Sequence, residues 1–188
     1  MADLFPVFLK LADRPVLLVG AGPVGTSKLA GLLQAGAQVT VVAPRVSPEI
    51  AASGVRVHKR RFRASDLDGR WLVVAAATPT VNRQVAAAAE RRCVFVNAVD
   101  DPANATAYLG GVCRRAGVTV AISTEGHAPA LAGLLREGLD ATLPADLGRW
   151  MKAAARARRS WKIRRVAMEH RRPDLLKRLN RLYEGRQK

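Results

Sequence analysis

Between Pro15 and Leu33 the chain passes from one hydrophobic period to another through three closely spaced glycines. Pro15-Val16-Leu17-Leu18-Val19 is unbroken and apolar, the pattern of a strand buried on both faces of a parallel sheet. Gly20-Ala21-Gly22-Pro23-Val24-Gly25 follows, and from Val24 to Leu33 the apolar residues fall at helical spacing, with Gly36 where a helix stop belongs. In such a turn the first glycine permits the tight bend, the second admits a ligand against bare backbone, and the third lets helix and strand pack closely. A chain that opens this way is committed to alternating strands and helices, because a parallel strand is reached only by a crossover.

The following residues keep that alternation. Gln38–Ala43 reads as a second strand, Pro48–Ser53 as a short helix, Val55–Lys59 as a third strand and Trp71–Ala76 as a fourth. Thr78-Pro79 supplies a helix cap with proline in the first turn, opening a helix to about Arg92, and Cys93–Asn97 is a fifth strand. Beyond Asn97 the pattern changes. Thr106–Cys113 and Val118–Ser123 read as a hairpin joined by Arg114-Arg115-Ala116-Gly117, which implies antiparallel pairing. Ala130–Leu143 is an amphipathic helix, and Arg149–Ala167 and Pro173–Tyr183 are two more, with Pro173 opening the last. The expected architecture is α/β: a Rossmann parallel sheet over residues 1–104, a small hairpin and helix region over 105–145, and a helical C-terminal domain over 146–188.

Charge separates the last part from the rest. Residues 149–188 hold 15 of the 31 Lys and Arg but 3 of the 15 Asp and Glu. A basic tail is either a solvated helical face or a contact for something anionic. Aromatic residues are too sparse there for a base-stacking platform, so nucleic acid is not the expected partner. No apolar run is long enough for a membrane span, and the start lacks a basic stretch followed by an apolar one, so the expected location is the cytoplasm. Two cysteines, Cys93 and Cys113, exclude a disulfide framework and read as small core residues. His58, His127 and His170 lack ligand spacing, and no metal site is expected.

The candidate site residues follow from the sheet. Gly20, Gly22, Pro23, Val24 and Gly25 form a G-x-G-x-x-G between strand and helix, where a helix N-terminus faces the pyrophosphate of a dinucleotide. The acid that would hold a ribose 2′-hydroxyl after the second strand is absent, and the strand ends instead in Ala43-Pro44-Arg45. Read from these residues, NAD and NADP both remain open. Thr78 is assigned with them to the cofactor. Asp100 follows the fifth strand at the carboxyl edge, where open α/β sheets place ligands, and a carboxylate there is a candidate proton acceptor. Asn97, Thr124 and His127 are candidate substrate contacts.

In order and spacing these motifs resemble one family, the precorrin-2 dehydrogenase and sirohydrochlorin ferrochelatase module of siroheme synthesis. The resemblance rests on Leu4-Phe5-Pro6-Val7-Phe8-Leu9, the VGAGPVG turn with Lys28, the VTVVAP strand end, and WLVVAAAT with Asn82. It continues through Asn97-Ala98-Val99-Asp100-Asp101-Pro102, Val120-Ala121-Ile122-Ser123-Thr124 and Pro129-Ala130-Leu131-Ala132. It implies an NAD-dependent oxidation of precorrin-2 to sirohydrochlorin, with Fe²⁺ as a further substrate in some members, and a homodimer paired through the 105–145 region. It implies that Asp100 is the functional aspartate, that Gly22-Pro23-Val24 and Ala43-Pro44-Arg45 contact the nucleotide, and that Thr124 stands where some members carry a phosphorylatable serine. It also favours NAD over NADP. Where the family has an aromatic and proline-containing stretch after the aspartate, this chain reads Ala105-Thr106-Ala107-Tyr108-Leu109-Gly110-Gly111. Its Thr-Gly-Gly-x-Ser-Pro loop appears here as Thr124-Glu125-Gly126-His127-Ala128-Pro129. The competing expectation is a dinucleotide-sensing module whose basic tail meets nucleic acid or an acidic partner.

Overall fold

A computed structural model describes residues 4–184. Five parallel strands, β1 (Pro15–Val19), β2 (Gln38–Val42), β3 (Arg56–His58), β4 (Leu72–Ala75) and β5 (Phe95–Ala98), form one sheet in the order β3-β2-β1-β4-β5. The register runs straight across, with Val16 opposite both Val39 and Leu72, and Val74 opposite Asn97. Because side chains alternate along a strand, the sheet has two apolar faces. Val16, Leu18, Val41 and Val74 bury against Leu29 and Leu32 of α1 (Pro23–Gln34) and Ile50 of α2 (Pro48–Ala52). Leu17, Val19, Val73 and Val96 bury on the other face against Val85, Ala88 and Ala89 of α3 (Pro79–Glu90). The order reverses between β1 and β4, and that crevice, at the carboxyl ends, is where such sheets bind ligands.

One polar cluster ties the β3–β4 connection to the sheet. Asp66 accepts both guanidinium nitrogens of Arg60, at 2.9 and 2.5 Å, and the Arg63 backbone N–H at 2.9 Å. Arg70 bonds the Asp66 carbonyl and the hydroxyl of buried Thr40. Burial by itself would raise the Asp66 carboxyl, but the bidentate arginine and the backbone N–H outweigh it and hold the group below the ordinary carboxylate range. A depressed carboxyl stabilises the fold above its unfolded-state pKa, and that contribution is lost as pH falls through the folded value. Asp66→Ala is therefore expected to cost about 1–3 kcal/mol at neutral pH. In urea titrations the gap to wild type should shrink below about pH 4. A gap that persisted unchanged at low pH would mean the side chain acts through packing alone.

Past β5 the chain turns back before it leaves the sheet. The Thr106 and Ala107 N–H groups both donate to the Val96 carbonyl, the Thr106 hydroxyl accepts from Val96 N, and Asn97 Nδ2 donates to the Ala107 carbonyl at 3.0 Å. Residues 106–107 thus cover the open edge of β5, so the first hairpin strand does not start at Thr106 but at Gly111. Cys93 also departs from expectation. It is exposed and takes the left-handed conformation that ends α3, rather than a place in the core.

The chain divides into two compact units, the first comprising residues 1–109 and 123–128 and the second residues 110–122 and 129–188. In the second, β6 (Gly111–Arg115) and β7 (Val118–Ile122) pair antiparallel around Ala116-Gly117, both at positive φ, so Arg114 and Arg115 belong to the strand and not to the turn. A β-carbon on Gly111 would lie 3.0 Å from the Ala132 carbonyl of α4 (Pro129–Thr142), which is how closely hairpin and helix approach. Buried Cys113 donates its thiol to Asp140 of α4, and that bond, with burial, pushes the thiol up and disfavours the thiolate. The expected core role holds for this cysteine. Both indoles of α5 (Leu147–Ile163) reach the following segment: Trp161 donates to Asp174 of α6 (Met168–Asn180), and Trp150 donates to the Tyr183 hydroxyl just beyond it. Pro173 lies inside α6 instead of opening it. The chain reverses earlier, at left-handed Arg165, and the Trp161–Asp174–Arg178 contacts hold the helix through the proline at the loss of one backbone bond.

Candidate functional site

The glycine turn sits at the mouth of the β1/β4 crevice, and each glycine has its own reason. Gly20 has φ +104°, and a β-carbon there would lie 2.2 Å from the Ala76 carbonyl oxygen at the end of β4. At Gly25 it would lie 2.5 Å from the Gly20 carbonyl. Both are places where backbone meets backbone. Gly22 differs, because nothing stands within 4 Å of where its β-carbon would be. The closed positions shape the turn, and the open one leaves bare backbone facing free space at the start of α1. Gly22 is the helix cap and Pro23 the first helical residue, so the N–H groups of the first turn face that space without a side-chain cap. Bare backbone at a helix N-terminus is the geometry that can accept a pyrophosphate, and the residues present fit a dinucleotide.

The end of β2 is fastened to the turn. Gly20 N donates to the Val42 carbonyl at 3.0 Å, Ser47 N donates to the Ala21 carbonyl at 3.0 Å, and the Thr26 and Ser47 hydroxyls are 3.0 Å apart. Ala43 is buried, while Pro44 and Arg45 are exposed between those two anchors. Ser47 is a further residue of this corner, beyond those the sequence motifs single out. Its signal was the Ser-Pro-Glu that starts α2, where its hydroxyl also caps the Ile50 N–H.

On the other side of the crevice Thr78 caps α3 by accepting from Val81 N at 3.5 Å. Asn82 is buried and bridges the two strand ends, accepting from Ala77 N and donating to the Val99 carbonyl. Asn97 is also buried. Its Nδ2 is used on Ala107, while its Oδ1 has no hydrogen-bond partner among the described residues.

Asp100 lies just beyond β5, exposed and at φ +56°. Aspartate tolerates the left-handed region better than most residues, but the conformation still costs energy and is held by its neighbours. Val99 N is fixed to the Ala75 carbonyl, and Asp101 N to the Ala98 carbonyl. Asp101 accepts both its bonds from the Asn104 amide, so its carboxylate is spent on the turn. The Asp100 carboxylate has no hydrogen bond or ion pair among the described residues. Two adjacent acids therefore divide, one structural and one free.

Thr124 and His127 lie on a loop that meets this segment. Gly126 packs so closely that a β-carbon there would lie 2.8 Å from Pro102 Cγ and 3.5 Å from the Tyr108 ring. The Thr124 hydroxyl accepts from Ala128 N and its carbonyl from His127 N, which shapes the loop and leaves the His127 ring exposed. The fold thus brings the 100–108 and 124–128 segments together.

A family model described as "Putative NAD(P)-binding" matches residues 7–111. Siroheme synthase 3 of Aeromonas hydrophila subsp. hydrophila is 43% identical over 175 residues, which are 90% of this chain and 37% of that protein. The siroheme synthase of Photorhabdus laumondii subsp. laumondii is 40% identical over 175 residues, again 90% of this chain and 37% of that protein. The chain spans just over a third of the length of these curated relatives. Among solved structures, "SirC, precorrin-2 dehydrogenase" is 26% identical with a TM-score of 0.67, covering 93% of this chain and 88% of that one. The fold is that of this structure. The family match takes in all five strands of the parallel sheet and the glycine turn whose open position suits a pyrophosphate, and the chain belongs to this NAD(P)-binding family.

Proposed function

We propose that the chain oxidises precorrin-2 to sirohydrochlorin with NAD⁺, as a step of siroheme biosynthesis. The observation that carries this reading is the free Asp100 carboxylate, held in a left-handed backbone at the carboxyl edge of β5, beside the strand that borders the dinucleotide crevice. Relatives named siroheme synthase and a like-folded precorrin-2 dehydrogenase support the substrate.

NAD⁺, when bound, accepts a hydride. The chain's own residues do the rest. Gly20, Gly22, Pro23, Val24 and Gly25 hold the pyrophosphate against the start of α1, and Ala43, Pro44 and Arg45 border the adenosine ribose. Thr78 keeps the start of α3 in place. Asp100 accepts or orients the proton that leaves the macrocycle as the hydride departs. Asn97, Thr124 and His127 flank the substrate. Fe²⁺ is a substrate in a second step at the same aspartate, which would take up the protons released from the ring nitrogens. A net positive chain attracts a polycarboxylate substrate. The working form in this reading is a cytoplasmic homodimer. Leu131, Leu134, Leu135 and Leu139 leave an exposed apolar stripe on α4, and both cysteines are free thiols. No helix among the described residues is long and apolar enough to cross a membrane.

The test is an anaerobic assay with freshly made precorrin-2 and NAD⁺, reading NADH and sirohydrochlorin together, with Fe²⁺ added afterwards. Both products should appear in equal amounts. A protein that binds NAD⁺ but leaves precorrin-2 unchanged would overturn the dehydrogenase reading. It would favour the sensing module, for which the outer face of α5 with exposed Arg158, Arg159 and Lys162 is the contact surface.

A further inference from the structure

We infer that Arg45 makes the adenosine end of this site a receptor for a 2′-phosphate, so that the chain takes NADP⁺ as well as NAD⁺. The inference rests on the dinucleotide reading of the glycine turn and extends it to the specificity of the ribose pocket.

Three observations converge on the residue. The first is its position. Residues 43–46 are a short loop pinned to the phosphate turn at both ends, by Gly20 N on the Val42 carbonyl and by Ser47 N on the Ala21 carbonyl. A pyrophosphate on that turn sets the adenosine ribose at the end of the neighbouring strand, which is β2. Arg45 stands there with little freedom for its backbone to move away.

The second is the absence of a competing acid. No Asp or Glu occurs between the end of β2 and Pro48. The first carboxylate is Glu49, in the opening turn of α2, where the helix N–H and the Ser47 hydroxyl hold it below the ordinary carboxylate range. An acid after β2 would repel a 2′-phosphate and accept the 2′-hydroxyl in its place; here the site has nothing to repel it with.

The third is the state of the cations. Arg45 is exposed, and no ion pair or hydrogen bond engages its guanidinium among the described residues. The adjoining strand end adds to it. Ala43 N donates to the His58 carbonyl, joining the ends of β2 and β3, and β3 is followed by exposed Lys59 and Arg61. Arg60, by contrast, is committed to Asp66. The rim where a 2′-phosphate would lie therefore offers unpaired positive charge, and a guanidinium binds phosphate in a directed, charge-assisted way.

The experiment is direct binding, independent of turnover. Isothermal titration of the wild-type protein with NAD⁺, NADP⁺ and 2′,5′-ADP is compared with Arg45→Ala and Arg45→Asp. Wild type should bind NADP⁺ within about tenfold of NAD⁺ and should bind 2′,5′-ADP. Arg45→Ala should weaken NADP⁺ and 2′,5′-ADP by about tenfold or more while NAD⁺ changes less than about threefold. Arg45→Asp should widen that gap further. A wild type that rejects NADP⁺ by more than about a hundredfold, or an Arg45→Ala that holds 2′,5′-ADP as well as wild type, would overturn the inference. Failure to bind NAD⁺ as well, in a folded protein, would overturn the dinucleotide reading itself, so the two failures are told apart by the NAD⁺ arm.

Discussion

Asp100→Asn should lower precorrin-2 oxidation by about 10²–10⁴-fold while leaving NAD⁺ affinity and thermal stability near wild type. Asparagine is the informative replacement because of the backbone. Asp100 sits at φ +56°, and Asn is among the few side chains that accept this region readily, so the variant removes the charge without adding strain. Alanine would change both at once. The carboxylate has no partner among the described residues, so its loss should leave no buried donor unsatisfied, and stability should stay within about 0.5 kcal/mol. Asp101→Asn makes the control. Its carboxylate is fully occupied by the Asn104 amide, so that variant should loosen the turn and lower stability while retaining measurable turnover. If Asp100→Asn turned over at the wild-type rate on authentic substrate, the proton would have to leave by water alone, and the assigned role would fall. If Asp101→Asn abolished turnover while Asp100→Asn retained it, the two acids would have been assigned the wrong way round.

The division between these two acids also marks where the sequence could be read and where it could not. The sheet was legible because each strand is a continuous apolar run and each helix has helical spacing, and both signals are local. The glycine turn was legible for the same reason. Sequence alone does not separate Asp100 from Asp101, because the difference lies in a left-handed φ and in an amide three residues on that chooses one of them. Nor does it reveal that Thr106 and Ala107 return to the edge of β5. Threonine and alanine in a run of strand-like residues carry no mark of a partner ten positions back, so the pattern places the hairpin's start at Thr106 where the strand begins at Gly111. At Cys93 and Pro173 local identity points one way and tertiary structure another: Cys93 takes the left-handed conformation after α3, and contacts through Trp161 and Asp174 carry α6 past its proline. Ser47 carries a legible capping signature, the Ser-Pro-Glu before α2, but that signature marks a helix start and not a site. What it does besides capping, joining β2's end to the glycine turn and α1, depends on a hydroxyl 21 positions away.

The sharpest test of the site is the contrast between two glycines in one turn. Gly22→Ala should fold, with a loss of no more than about 1 kcal/mol from placing alanine at a helix cap. Its φ of −87° and ψ of −169° are open to any residue, and the added methyl meets nothing within 4 Å of protein. The methyl would instead stand in the space assigned to the pyrophosphate, so dinucleotide affinity should fall by tenfold or more, about 1.4 kcal/mol at the least. Gly20→Ala reverses the pattern. Its methyl would overlap the Ala76 carbonyl at 2.2 Å, from a backbone at φ +104° that alanine rarely adopts. Either β1 or β4 must move, and both are buried on the two faces of the sheet, so the variant should lose more than about 3 kcal/mol or fail to fold. Thermal melts and nucleotide titration of the pair separate what each glycine is for. A Gly22→Ala protein that binds NAD⁺ as wild type does would show that the ligand passes elsewhere, and the dinucleotide would have to be sought away from the start of α1.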